Sequence, residues 1–188
     1  LPFNLEELNR YGRGYSLDDL LLKGFYPRLH NENLETPQFF MNYFETYIQR
    51  DLRQLSNIDN INLFEKFVRI LSSRVGQLLN YTSLSNDIGV SLPTIRKWIS
   101  LLEASFIVYL LPPFYRNIGK RLIKTPKLYF YDNGLAAYLL EIENIKQLQN
   151  HPLRGFLFEN LVIMEFLKLR FNHLMPPNLF FFRDRTGH

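Results

Sequence analysis

The sequence of 188 residues predicts an α+β fold in which helices dominate. Apolar residues recur at helical spacing, behind residues that cap helices, as far as about Ala104. Short apolar runs typical of strands follow that residue. Hydrophobic residues make up 46% of the chain, so it can bury a substantial core. We therefore expect a helical bundle followed by a β-containing second part.

Capping residues locate two short helices near the start of the chain. Asn4, with Glu7 three residues later, predicts the first helix, and Ser16 predicts the second. Gly24 is a suitable end for that second helix, because glycine accepts the backbone conformation that closes a helix at little cost.

Two longer helices follow. Thr36 begins one that we expect to reach Leu55, with apolar residues on one face. Another is predicted over residues 63–79, where Leu78 is the last member of the apolar stripe.

The stretch "LSNDIGVSLPTIRKWISLLEAS" predicts a helix-turn-helix over about residues 83–104. Ser83 is expected to cap the first helix, Gly89 to form the turn, and Ser91 to cap the second helix. One face of the second helix is apolar, with Ile95, Trp98, Ile99 and Leu102. The opposite face has the side chains that a recognition helix presents to the major groove: Thr94, Arg96, Lys97 and Ser100.

A basic segment follows the helix-turn-helix directly. Between Glu103 and Asp132 there is no acidic residue. "FIVYLL" predicts a strand, "PPFYRNIGK" a turn region, and "RLIKTPKLYFYD" one or two strands interrupted at Pro126, so residues 106–125 are expected to form the wing of a winged helix. The wing would bring these basic side chains to DNA phosphates: Arg116, Lys120, Arg121 and Lys124.

Two roles for this winged helix stay open. A net charge of +4 is mild for a nucleic-acid-binding protein, and a solvated basic surface explains it equally well. Winged helices also dock proteins, and Arg96 and Lys97 give the second helix few cations. DNA and a protein are therefore both possible partners.

The last third of the chain contains two carboxylates with possible roles. Asp132 ends a predicted buried strand and is placed to cap the next helix. Glu159 lies in a long helix and shares a face with Val162, Ile163 and Phe166, where a carboxylate needs a partner. That partner is either a cation, such as Arg183 or Arg185, or a metal ion in a nuclease-like core.

Other classes of function are excluded or find no support. The absence of cysteine excludes disulfides and thiolate metal sites, and no apolar run is long enough to span a membrane. "IGKR" is not a phosphate-binding P-loop, because Phe114 stands where the first glycine is needed. The four histidines are scattered, without the spacing of metal ligands.

A series of motifs resembles a known family: "GFYPRL", "YIQRDLRQL", the stretch from "LSNDIG" to "YFYDNGL", and "GFLFENLV". Together they resemble the C-terminal domain of uncharacterised function that follows the ATPase module in prokaryotic AAA-type ATPases. The resemblance covers nearly the whole chain. It implies a cytoplasmic prokaryotic protein in which a winged helix is joined to a fold similar to PD-(D/E)XK, restriction-endonuclease-like nucleases.

The resemblance also implies a division of the chain. Residues 1–10 correspond to the end of the ATPase module, residues 11–125 to the helical region with the winged helix, and residues 126–188 to a partial nuclease-like segment. Glu159 matches the helix carboxylate of the nuclease-like core, and is the candidate catalytic and metal-binding residue.

The resemblance places the other functional groups outside this sequence. The chain starts at Leu1 without Met, so we expect it to be part of a longer protein. The Walker motifs would lie upstream of Leu1, and the metal-binding acid and catalytic lysine would lie beyond His188. We therefore expect no cofactor and no catalysis in this part, whereas the full-length protein is expected to bind ATP and Mg²⁺.

Overall fold

The computed structural model of the chain describes residues 2–10, 12, 14–32, 34–51, 60–114 and 125–182, with the backbone alone at 48–51. Helices dominate and two strands form a small antiparallel sheet, which confirms an α+β fold of mainly helical content. The elements in chain order are α1 (Leu5–Asn9), α2 (Leu17–Lys23), α3 (Pro27–Asn31), α4 (Thr36–Tyr43), a π-helix (Phe44–Asp51), α5 (Ile61–Ser72), α6 (Tyr81–Ile88), α7 (Leu92–Ala104), β1 (Val108–Leu111), β2 (Lys127–Phe130), α8 (Asn133–Leu139), α9 (Ile145–Asn150) and α10 (Arg154–Asn172).

The predicted caps of α1 and α2 are confirmed. Asn4 Oδ1 accepts a hydrogen bond from the N–H of Glu7 at 2.7 Å, and the Glu7 carboxylate accepts one from the Asn4 N–H at 2.8 Å. Ser16 and Asp19 form the same reciprocal arrangement at the start of α2. Gly24 follows the last residue of α2 with φ of 72°, so the predicted stop is also confirmed.

The long helix predicted from Thr36 begins at that residue. It continues through α4 and then changes to π-helical hydrogen bonding at Phe44. Phe40 and Phe44 are both buried, in agreement with the predicted apolar face. The predicted end at Leu55 lies outside the described residues.

The helix predicted over residues 63–79 is wrong at its C-terminal end, because α5 ends at Ser72. Gly76 has φ of +71°, and its N–H donates to the carbonyl of Leu128 at 2.7 Å. Leu78 forms an isolated antiparallel β-bridge with Lys127 instead of extending the helical stripe. Pairing with β2 thus overrides the helical spacing of the apolar residues in this segment.

The strand predicted in "FIVYLL" is confirmed as β1, and the part of "RLIKTPKLYFYD" after Pro126 forms β2, whereas residues 121–124 of that stretch lie outside the described residues. The two strands pair antiparallel, with Val108 opposite Phe130 and Leu111 opposite Lys127. The segment that contains Leu78 lies along β2 as well, since the Leu79 N–H donates to the carbonyl of Pro126 at 2.9 Å. β2 is therefore the strand that connects the other extended segments.

One large hydrophobic core extends from Leu8 in α1 to Leu161 in α10. A smaller cluster lies between the two strands and α10, and contains Tyr109, Leu111, Tyr129, Tyr131, Met164 and Leu167. None of the helices in the described part of the chain is both long and apolar enough to cross a membrane. The predicted boundaries at residues 10 and 125 stay a prediction, although the main core includes residues on both sides of each.

Asp132 joins three parts of the fold. Its side chain is 1% exposed and accepts hydrogen bonds from the N–H groups of Phe25 at 2.7 Å and Leu135 at 3.0 Å. The second bond confirms the predicted cap of α8. Burial raises the pKa of the Asp132 carboxyl, whereas the bonds from Phe25 and Leu135 act in the opposite direction.

The N-terminal residues are held by a buried lysine. Lys168 is 3% exposed, and its Nζ donates to the carbonyl of Phe3 at 2.7 Å and to Glu165 at 3.2 Å. The other oxygen of Glu165 accepts from the N–H of Leu5 at 2.8 Å. Residues near the start of α1 are therefore attached to α10 by polar contacts that are largely shielded from water.

Replacing Gly24 with Ala should lower the free energy of unfolding by at least about 1–3 kcal/mol, because its backbone conformation is one that side chains strongly disfavour. A Cβ atom would also lie 2.7 Å from the N atom of Gly134 and against Asp132. Urea unfolding measures the change. The matched control is Gly155→Ala in α10, where a Cβ meets no neighbour within 4 Å and stability should be unchanged or higher. Equal effects at both positions would contradict this explanation.

Asp18 should stabilise the fold in a pH-dependent way. Hydrogen bonds from Gln149 and from Arg154 lower the pKa of the Asp18 carboxyl below its ordinary value of 3.8. Its contribution is therefore present above pH 3.8 and is lost as the pH falls through the lowered value. The difference in unfolding free energy between the native protein and Asp18→Asn should be largest near neutral pH and disappear in acid. A difference that is the same at all pH values would contradict it.

Candidate functional site

The helix pair predicted to carry the site is present as α6 and α7. Gly89 closes α6 in the left-handed conformation with φ of +80°, as the sequence predicts. Ser91 caps α7 by accepting from the N–H of Thr94 at 3.3 Å. The predicted cap of α6 is wrong: Asn80, not Ser83, accepts the first hydrogen bond, and Ser83 is the donor of that bond at 3.0 Å.

The predicted apolar face of α7 is buried. Trp98 packs against Phe64 and Phe67 of α5, with ring centroids 5.4 and 5.2 Å apart. These aromatic contacts fix the rotation of α7 about its axis. The buried residues of α7 are the four that the sequence predicts: Ile95, Trp98, Ile99 and Leu102.

The opposite face of α7 is polar. Arg96, Lys97 and Ser100 are exposed, and Thr94 is half-buried with its Oγ1 2.8 Å from Ser91 Oγ. The guanidinium of Arg96 lies over the ring of Tyr81, 4.7 Å from its centroid. The structure thus brings together the four residues predicted for this helix and adds Tyr81, which the sequence analysis did not include.

The acid nearest this surface along α6 is already neutralised. Asp87 Oδ2 pairs with Arg74 at 3.1 Å and also accepts from Ser83 at 3.3 Å. Lys66 donates to the backbone carbonyl of Asp87 at 3.3 Å. The positive charge of Arg96 and Lys97 is therefore not cancelled by Asp87.

The basic residues predicted for the wing lie outside the described residues. Phe114, which precedes them, is exposed, and its N–H donates to the carbonyl of Phe181 at 2.7 Å. The role predicted for the following four residues stays a prediction: Arg116, Lys120, Arg121 and Lys124.

Glu159 has partners that the sequence analysis did not identify. Its Oε1 accepts hydrogen bonds from Lys127 Nζ at 2.8 Å and from the Tyr129 hydroxyl at 2.6 Å. Burial, and then the hydrogen bond to Glu159, raise the pKa of Tyr129. The partners predicted for Glu159, Arg183 and Arg185, lie outside the described residues.

The apolar face predicted around Glu159 needs correction. Phe166 is 54% exposed, whereas the buried side of α10 contains Leu157, Leu161, Met164 and Leu167. Glu159 lies at the edge of that side and is half-buried, with 37% of its side chain exposed. The fully buried polar residue is its neighbour Asn160, which exchanges two hydrogen bonds with the backbone of Phe130 at 2.7 and 2.9 Å.

The contacts of Glu159 with Lys127 and Tyr129 could be predicted only in part from the sequence. Lys127 and Tyr129 are two residues apart on β2, so their side chains share one face of the strand. The pairing of that face with α10 is a long-range contact that no local pattern specifies. Among the described residues no group of three or more His, Asp or Glu side chains is placed to hold a metal ion. A metal-binding or catalytic role for Glu159 stays a prediction.

These elements define a mainly helical α+β domain with an exposed basic helix face and a separate ion-paired cluster. The chain belongs to a family described as a domain of unknown function, DUF8612, which matches residues 14–146.

Curated proteins resemble the chain over most of its length. The Mycobacterium tuberculosis protein named "Uncharacterized protein Rv2008c" is 30% identical over 143 residues, which cover 76% of this chain and 32% of that protein. A Haemophilus influenzae protein named "Uncharacterized protein" is 29% identical over 131 residues, covering 66% of this chain and 31% of that protein. The chain thus corresponds to about a third of these relatives. No solved structure gives a significant match.

A double-mutant cycle should separate the two bonds to Glu159. Tyr129→Phe and Glu159→Ala should couple by roughly 0.5–3 kcal/mol in urea unfolding, because the Tyr129 hydroxyl is buried against a carboxylate. Lys127→Met and Glu159→Ala should couple less, by about 0–1 kcal/mol, because that ion pair is partly exposed. The opposite ranking would contradict the assignment of Tyr129 as the main partner.

Proposed function

We propose that the chain contains a winged helix that engages DNA within a larger ATP-binding protein. The observation that carries the proposal is the order of the elements: α5, the extended segment around Leu78, α6, α7, β1 and β2. In a winged helix, a helix and a short strand precede the helix-turn-helix, and a β-hairpin follows it. The pairing of β2 with both β1 and Leu78 supports this arrangement.

The exposed face of α7 supports DNA as the ligand. A recognition helix presents short polar and basic side chains to the major groove while its apolar face packs on the rest of the domain. Arg96, Lys97 and Ser100 meet that description, and the packing of Trp98 on α5 would hold them in a fixed orientation. The predicted wing residues would add phosphate contacts.

The role of the whole protein follows from the resemblance to AAA-type ATPases. The ATP- and Mg²⁺-binding residues would then lie in a module outside this sequence, and this region would engage DNA for it. The relatives are about three times as long as the part that matches this chain, which leaves room for such a module.

Protein docking is the second candidate function, and the surface of α10 favours it. Phe158, Phe166 and Leu169 are exposed on this helix, with the half-buried Val162 between them. Exposed apolar patches of this kind mark protein interaction sites. Docking through them would be insensitive to salt, whereas DNA binding would weaken steeply as salt rises.

The Arg96→Glu, Lys97→Glu double variant tests the DNA proposal. The native chain should bind a fluorescently labelled duplex with an affinity that falls steeply with salt, and the variant should lose at least about tenfold at low salt. Fluorescence anisotropy measures both.

The matched control is the Arg28→Glu, Lys146→Glu variant, which changes the net charge equally at exposed positions in α3 and α9. It should retain most of the affinity. An equal loss in both variants would mean that overall charge, and not the α7 surface, determines binding. Absence of binding by the native chain at low salt would refute the proposal and favour protein docking.

A further inference from the structure

The contact between Arg96 and Tyr81 connects the two helices of the pair. Arg96 lies on α7, Tyr81 is the first residue of α6, and the guanidinium is 4.7 Å from the centroid of the tyrosine ring. A guanidinium at this distance is attracted by the negative face of the ring. The contact therefore draws the end of a long, flexible side chain towards the N-terminus of α6.

Tyr81 is well suited to hold another side chain in place. Its ring is half-buried and packs against the main core, next to the Asn80 side chain that caps α6. Burial raises the pKa of the Tyr81 hydroxyl, with Arg96 acting in the opposite direction, so the ring is neutral at physiological pH. A fixed, neutral aromatic ring supports a cation without cancelling its charge.

The guanidinium has donors left for a ligand. Within the described part of the chain, Arg96 has no carboxylate partner and no hydrogen-bond acceptor, and its contact is the face of Tyr81. The face of an aromatic ring does not take up the hydrogen-bonding capacity of the guanidinium as a carboxylate would, so N–H groups of Arg96 are left to donate. Two such N–H groups can bind two oxygens of a phosphate at once.

The position of the pair favours a phosphate over a base. When a helix-turn-helix docks on DNA, the second helix enters the major groove and the first helix crosses the sugar-phosphate backbone. Tyr81 draws Arg96 from the second helix towards the start of the first. Arg96 would thus face the strand beside the groove and not the base edges within it.

We propose that Tyr81 is a positioning residue that orients Arg96 to bind a backbone phosphate of DNA. This inference rests on the proposed function. It gives the ring of Tyr81 the role of supporting Arg96, without contact to DNA, and assigns Arg96 a sequence-independent contact. The neighbouring Lys97 and Ser100 are left to face the groove.

The test compares duplex affinities of Tyr81→Phe, Tyr81→Leu, Arg96→Ala and the Tyr81→Leu, Arg96→Ala double variant by fluorescence anisotropy. Tyr81→Phe retains the ring and should bind like the native chain. Tyr81→Leu should weaken binding roughly two- to fivefold, as expected for loss of an exposed cation–π contact. Arg96→Ala should weaken it about tenfold and reduce the salt slope by about one.

The double variant and the choice of duplex separate this inference from its alternatives. If Tyr81 acts through Arg96, Tyr81→Leu should have no further effect in the Arg96→Ala background. The loss in Arg96→Ala should also be the same for duplexes of unrelated sequence, because phosphates carry no sequence information. Additive losses would overturn the role of Tyr81, and a loss restricted to one sequence would overturn the phosphate contact.

The Arg96→Lys variant tests the contact between Arg96 and Tyr81 by a change at an exposed position, which leaves the core intact. It retains the charge but lacks the planar group, so its affinity should fall between those of the native chain and Arg96→Ala, with an unchanged salt slope. Native-like affinity for Arg96→Lys would overturn the inference and leave DNA binding intact. Absence of duplex binding by the native chain would overturn both.

Discussion

The fold depends on the buried carboxylate of Asp132. Asp132 follows β2, caps α8 and accepts the N–H of Phe25, so one side chain connects the strand, the helix and the segment after α2. A carboxylate removed from water requires such donors, because an unpaired charge would strongly destabilise the core. Gly24 and Gly134 lie close to neighbouring atoms for the same reason, because the backbone N–H groups that donate to Asp132 must come near its carboxylate.

Local chemistry allowed much of the fold to be predicted. Asn4, Ser16, Ser91 and Asp132 each cap the helix that the sequence assigns to them, because a cap depends on residues three positions apart. One cap was assigned wrongly, since Asn80 and not Ser83 caps α6. The larger failure is non-local. Leu78 has helical spacing but pairs with β2, and a strand partner distant in sequence leaves no trace in the spacing of apolar residues.

In the candidate site, too, local features could be predicted from the sequence and contacts between distant elements could not. The buried and exposed faces of α7 follow from helical periodicity, so Arg96, Lys97 and Ser100 could be predicted as a surface. The stack of Arg96 on Tyr81 and the bonds from Lys127 and Tyr129 to Glu159 could not. Both join elements whose relative position depends on tertiary packing. Glu159 illustrates the difference, because its need for a partner was predictable and the identity of that partner was not.

The contacts of β2 connect the helix pair α6–α7 with the N-terminal residues. Lys127 on this strand bridges to Leu78 on one side and pairs with Glu159 of α10 on the other, while Asn160 holds Phe130. α10 in turn holds Phe3 through Lys168. The helix pair α6–α7 and the N-terminal residues are thus linked by a short series of polar contacts through one strand and one helix. Phe3 and the helix pair α6–α7 therefore belong to one connected frame, although more than 70 residues separate them along the chain.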